Sequence, residues 1–216
     1  MPDVFDYGID AIEHLKSRDP GLGAAIDRIG PIVRAVHPDL FTALVHSIVG
    51  QQISTKAHDT IWLRMVDAFA PISPETLASA RAEALQSCGI TMRKAEYLKL
   101  LAQDVLDGTL DLAALADLDD AEVCRRLIRV KGVGAWTVEM LLIFSLRRPD
   151  VLSWGDLAIQ RGLRMLYRHR KITPALFAKY QRRYSPFGSV ASLYLWAIAS
   201  GRYSDWSDPA AKPVRH

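Results

Sequence analysis

Along most of the chain apolar residues recur at spacings of three and four, and no run alternates convincingly between apolar and polar positions. A period near 3.6 buries one stripe of a helix, whereas a period of two buries one face of a strand, so the pattern predicts an all-α protein. In FTALVHSIVGQQIS (41–54), Phe41, Leu44, Val45, Ile48 and Val49 share one stripe, and a more polar stretch follows through Lys56, Asp59 and Arg64. Pro71 and Pro74 interrupt the chain, after which SPETLASARAEAL reads as one helix opening at Ser73 or Pro74 and closed by Gly89. MRKAEYLKLLAQDVLDG repeats the amphipathic pattern up to Gly108, and DLAALADLDD forms a short element leading to the next cap. There is no internal repeat or low-complexity linker, and the last stretch, SDWSDPAAKPVRH, reads as a loosely attached tail.

A chain of 216 residues, half of them hydrophobic, can bury a real core as one domain or two small lobes. It contains no apolar run long enough to span a membrane, and the opening MPDVFDYGIDAIEHL lacks the basic start and apolar stretch of a signal peptide. A cytoplasmic protein, or a nuclear one in a eukaryote, is therefore expected. Cys88 and Cys124 are the only cysteines, too few for a disulfide framework or an iron–sulfur site. The net charge of +3 hides an asymmetry. Residues 125 to 183 hold 14 Lys or Arg against Glu139, Asp150 and Asp156, a local balance of +11 that suits a polyanion held against one face, although a solvated basic helix face would read the same.

The sharpest local signal is DDAEVCRRLIRVKGVGAWTVEMLLIFSLRRPD, which reads as helix, glycine turn, helix. Asp119 and Glu122 have capping-box spacing, and Val123 and Leu127 face inward. The chain then reverses at Val130-Lys131-Gly132-Val133-Gly134, where two glycines permit close backbone approach. The next helix, from about Ala135, is apolar nearly all round from Val138 through Phe144 and so should be buried. Its N-terminal amides and positive dipole end would face the turn, surrounded by Lys131, Arg125, Arg126 and Arg129, as a site for a phosphate.

Downstream, VLSWGDLAIQRGLRMLYR places Asp156 in the first turn of a helix, where the plain reading is a cap. A carboxylate close to a held DNA strand would be repelled by its phosphates, which asks for a compensating role such as stabilising a cationic sugar. The run LIRVKGVGAWTVEM…VLSWGDLAIQRG resembles the helix-hairpin-helix DNA glycosylases with a Gly/Pro-rich loop and a catalytic Asp, and within them the AlkA-type 3-methyladenine-DNA glycosylase II branch. HSIVGQQIST (46–55), GITMRKAEYLKLLA (89–102) and YSPFGSVASLYLWAIA (184–199) agree with it in order, so the resemblance spans about residues 40 to 200.

The resemblance implies a two-lobed helical fold, with residues 38–146 as a helical-barrel lobe containing the hairpin at about 120–146. Residues 1–37 and 147–216 would form the second lobe, and the active-site cleft would lie between the two. It makes Asp156 the catalytic carboxylate and puts Trp136 where strand-cleaving relatives carry a lysine, so the expected activity is monofunctional hydrolysis of alkylated purines. Trp136, Trp196, Met140, Tyr194 and Ala197 would line the base pocket, with Trp154 nearby. Val130, Lys131, Gly132, Val133, Gly134 and Thr137 would grip DNA. The GQQIS turn would supply the wedge that fills the gap left by a flipped nucleotide, with Gln52 where relatives have an apolar plug and Ile53 beside it. Carbonyls of Ile128, Val130 and Val133 match those that hold a monovalent cation in similar hairpins. No cofactor is required and no iron–sulfur cluster is expected. The partner would be double-stranded DNA containing alkylated bases, bound by a monomer. His46 lies within an apolar face and is read as a hydrogen-bonded core histidine without chemistry. The alternatives are a non-catalytic helix-hairpin-helix DNA-binding protein and a bifunctional glycosylase/lyase.

Overall fold

The computed structural model describes residues 3–37 and 39–211. Among these the chain forms twelve α-helices and one short 3-10 helix, and the only strand-like pairing is an isolated bridge between Val4 and Ala35. Two compact units emerge. One comprises Met1–Val36 with Arg147–His216, and the other His37–Leu146. The first holds α1 (Gly8–Arg18) and α2 (Pro20–Ile29), together with α10 (Leu157–Tyr167), α11 (Pro174–Tyr184) and α12 (Gly188–Ala199). The second holds α3 (Leu40–Gly50), α4 (Thr55–Phe69), α5 (Pro74–Ser79), α6 (Ala82–Ser87), α7 (Met92–Leu106), the 3-10 helix Ala113–Asp117, α8 (Asp120–Leu127) and α9 (Ala135–Phe144).

Local sequence explains most helix starts. Asp39, Ser54, Ser73, Thr91 and Asp119 each accept a backbone N–H from three residues on, which satisfies an amide that the helix itself leaves unpaired. In the second unit α3 is buried through Phe41, Leu44, Val45, Ile48 and Val49, the stripe expected from its spacing. In the first unit α12 is buried over most of its length and packs against α10. Their crossing depends on Gly162: a Cβ there would lie 2.4 Å from the Leu195 carbonyl oxygen, so only glycine lets the two backbones approach this closely.

Three sequence expectations need correction. SPETLASARAEAL forms two helices, α5 and α6, with Ala80 and Arg81 extended between them. Lys99 Nζ donates to the carbonyls of Ala78 (2.6 Å) and Ala80, so a distant side chain satisfies the groups that the break exposes. The capping box at α8 is only half formed. Asp119 accepts the Glu122 amide at 2.7 Å, but the Glu122 carboxylate turns to Arg125 and Arg126 instead of reaching back. Finally, the C-terminal stretch is anchored as far as it is described. Asp208 receives both Nε and Nη2 of Arg164 at 3.0 and 2.6 Å, Asp205 pairs with Arg28, and Trp206 packs on Ala25, Met165 and Ile198. Residues 212–216 of that tail lie outside the described residues.

Candidate active site and nucleic-acid interface

Asp156 is the N-cap of α10 and is buried, with 6% of its surface exposed. Its Oδ1 accepts the amides of Ala158 (2.8 Å) and Ile159 (3.0 Å), while its Oδ2 accepts the indole N–H of Trp196 at 3.2 Å. The cap that the plain reading expected is therefore real, and it uses one oxygen only. The second oxygen is oriented by a side chain 40 residues away, brought in by the close α10–α12 crossing at Gly162.

The loop before Asp156 is fixed by α12 as well. Ser189 Oγ donates to the Arg148 carbonyl (2.6 Å) and accepts the Val151 amide (3.0 Å), and Ser192 Oγ donates to the Val151 carbonyl (3.0 Å). Asp150 accepts the Gly188 amide at 3.0 Å and the Ser185 hydroxyl at 2.5 Å. Both serines are fully buried. Sequence reasoning missed these residues, although polar serines recurring on an otherwise apolar helix were a usable signal, since buried hydroxyls must find partners.

Among the expected pocket residues of the first unit, Trp196 and Ala197 are half-buried and line a concavity of about 380 Å³ with Leu193, Arg202 and Tyr203. Trp154 is 40% exposed and meets Phe177 edge-on at 5.1 Å. Tyr194 does not belong with them. It is buried to 1% in the core, its hydroxyl donates to the Gly30 carbonyl, and it faces a different cavity, because consecutive large residues on one helix point to different sides.

In the second unit the hairpin has the expected form. Gly132 adopts φ +85°, and a Cβ there would lie 2.5 Å from the Tyr97 ring. Val130 and Val133 are buried and Lys131 is exposed. Unlike α8, α9 is preceded by Gly134, which has no side chain to cap it. Thr137 departs from expectation: it is buried within α9, and its hydroxyl is not presented on the surface. Val138, Leu141, Leu142 and Ile143 are buried as their spacing implied, while Trp136, in the first turn of α9, is 50% exposed. Met140, four residues on, is half-buried on the same face. Of the carbonyls suggested for a cation, that of Val130 already accepts the Val133 amide at 3.0 Å, and that of Ile128 lies at the C-cap of α8.

The turn between α3 and α4 projects Gln52 and Ile53 outward, and Gln52 has a left-handed backbone, φ +58°. Lys94 Nζ donates to the carbonyls of Val49 (2.8 Å) and Gln51 (2.7 Å) at this turn. Gln51 Nε2 donates to the Gly132 carbonyl at 2.6 Å, which brings the turn and the hairpin together. Near the same turn the His46 ring lies tilted against His58 (4.1 Å), stacks with His37 (5.4 Å) and meets Trp62 edge-on (4.7 Å). These ring contacts, rather than the expected hydrogen bond, hold His46. Its pKa is pushed down to about 4, first by burial and then by His58 and His37, with Asp59 opposing.

Residues 45–186 match the model of the HhH-GPD superfamily of base excision DNA repair proteins. The chain belongs to this superfamily. Among curated proteins, DNA-3-methyladenine glycosylase 1 of Schizosaccharomyces pombe is 34% identical, over 82% of this chain and 78% of that protein. DNA-3-methyladenine glycosylase 2 of Escherichia coli is 27% identical over 73% of this chain and 57% of that protein. Among solved structures, the DNA-3-methyladenine glycosidase of Bacillus halodurans superposes with a TM-score of 0.80 at 35% identity, covering 88% of this chain and 89% of that one. The S. pombe 3-methyladenine DNA glycosylase in complex with abasic DNA superposes with a TM-score of 0.79 at 29% identity, covering 92% and 99%. HhH-GPD membership accounts for the helical fold and for the hairpin between α8 and α9.

Proposed function

We propose that this HhH-GPD protein is a monofunctional DNA glycosylase that excises alkylated purines, of the 3-methyladenine and 7-methylguanine type, and leaves abasic sites. The observation that carries the reading is the Asp156 carboxylate, whose Oδ1 caps α10 while Oδ2 is oriented by the Trp196 indole N–H. Relatives named for 3-methyladenine excision supply the substrate class.

The target base is stacked inside the duplex, so its nucleotide must be turned out before chemistry can begin. The hairpin amides of Gly132 and Gly134 and the leading amides of α9 would hold a phosphate, and Gln52 and Ile53 would enter the gap. Three neutral carbonyls, of Ile128, Val130 and Val133, near the negative C-terminal end of α8 are suitable donors for a monovalent cation that would stiffen the turn. The electron-rich faces of Trp136 and Trp196 suit a cationic purine.

An N-alkylated purine already carries positive charge, so it departs as a neutral base when the C1′–N bond breaks and takes the bonding pair. Positive charge then grows on the sugar. The Asp156 carboxylate stabilises that oxocarbenium-like centre, and water adds to C1′ and passes its proton to the carboxylate, to give the abasic sugar. Trp136 offers no amine for a Schiff base, so the strand is left intact.

The test is incubation with a duplex carrying one alkylated purine, followed by scoring of strand breaks with and without alkali. The reading requires release of the free base and breaks only after alkali. Breaks without alkali, with borohydride trapping of protein on DNA, would mark a lyase; tight binding with no abasic sites would mark a DNA clamp.

A further inference from the structure

Lys94 occupies an awkward place for a cation. It lies in the first turn of α7, where the helix dipole disfavours positive charge, it is partly buried, and Arg93 is its neighbour. Burial first, and then the Arg93 charge, hold its pKa below the usual lysine value. Nothing within α7 offsets these costs. What does is the end of α3: the ammonium donates to the Val49 and Gln51 carbonyls, at the negative end of that helix.

That end of α3 leads directly into Gln52, whose left-handed backbone costs energy in a residue other than glycine. A second bond, from Gln51 Nε2 to the Gly132 carbonyl, joins the turn to the hairpin. One turn along α7 from Lys94, on the same face, Tyr97 packs against Gly132 where a Cβ would stand. One helix therefore touches both turns, at residues three apart.

We infer that Lys94 and Gln51 are positioning residues that hold the Gln52–Ile53 turn at a fixed distance from the phosphate-binding hairpin, so that gripping the backbone places the wedge against the base stack. This rests on the proposed function for the roles of the two turns. Lys94 touches neither base nor phosphate; it sets where Gln52 stands when Gly132 and Gly134 engage a phosphate.

The experiment measures wedge insertion without chemistry. A duplex carrying a stable abasic analogue opposite 2-aminopurine reports unstacking as a rise in fluorescence, and binding is read separately by anisotropy. The variants are Lys94→Met, Gln51→Leu and Lys94→Arg. Charge-assisted hydrogen bonds of this kind are worth roughly a tenfold to hundredfold effect. Lys94→Met and Gln51→Leu should therefore lose most of the fluorescence rise while duplex affinity falls less than about threefold, because the phosphate contacts persist. Lys94→Arg, which keeps the donors, should recover part of the rise. An undiminished rise in both variants overturns the inference. So does a loss of fluorescence that only tracks lost affinity and a lower melting midpoint, or a wild-type protein that produces no rise. A wild-type rise that both variants abolish, in a protein that excises no base, keeps the wedge linkage and refutes the glycosylase reading.

Discussion

Asp19 and Asp156 lie in the same unit, both are buried, and each caps a helix through Oδ1; they differ in what meets Oδ2. At Asp19, Oδ1 accepts the Leu22 amide at 2.9 Å and Oδ2 takes the Arg183 guanidinium at 2.7 Å. At Asp156, Oδ2 takes the indole N–H of Trp196. A guanidinium cancels the charge of its partner and spends it on holding α2 to α11, whereas an indole orients a carboxylate without adding positive charge. On the proposed function, the same residue type in the same capping role serves cohesion in one place and acts on a developing cation in the other.

The largest effect should come from Gly162→Ala. Its methyl would meet the Leu195 carbonyl at 2.4 Å, forcing α10 from α12, and the cost should be about 3 kcal/mol in urea denaturation. A neutral result would mean that the close crossing does not bring Trp196 to Asp156. Asp19→Ala should cost about 2 kcal/mol, because it removes a cap and leaves Arg183 without its partner. The folded fraction should still excise bases at a rate within about threefold of wild type, and a larger loss would erase the distinction between the two aspartates. Trp196→Phe keeps a ring but deletes the donor to Oδ2, and should slow single-turnover excision about tenfold with little change in the melting midpoint. The smallest effect concerns His46, a half-buried histidine whose pKa is pushed down to about 4. Its ring stays neutral down to about pH 4 when folded but takes a proton near 6.5 when unfolded. Stability should therefore be steady above pH 6.5, fall by about 1 kcal/mol as pH drops toward 4, and level off below, with solvent screening limiting the amount. His46→Phe should flatten that slope in melting curves.

Much of this was legible in the sequence because it is local. The 3.6 period marks α3 and α7, two glycines mark the hairpin, and Asp156 stands out as an acid in a basic stretch just before an amphipathic helix. What stayed hidden depends on partners far apart in the chain. The Lys99 bonds that stabilise the α5–α6 break, the Ser189 and Ser192 bonds to the loop before Asp156, and the Lys94 clamp each span 19 to 45 residues. Periodicity gives no sign of them. Tyr194 and Thr137 were misjudged for a related reason: position in a motif does not specify which side of a helix a residue faces, and both turn into the core.

On the proposed function the Asp156 carboxylate acts on the sugar, whereas the Asp19 carboxylate holds α2 to α11. Single-turnover excision from an alkylated duplex, measured side by side for Asp156→Asn and Asp19→Asn together with their melting midpoints, tests this difference most directly. Asparagine can still cap either helix. Asp156→Asn should lose about a thousandfold in rate and little stability, and Asp19→Asn should show the reverse. An Asp156→Asn protein that excises bases at nearly the wild-type rate would contradict the account.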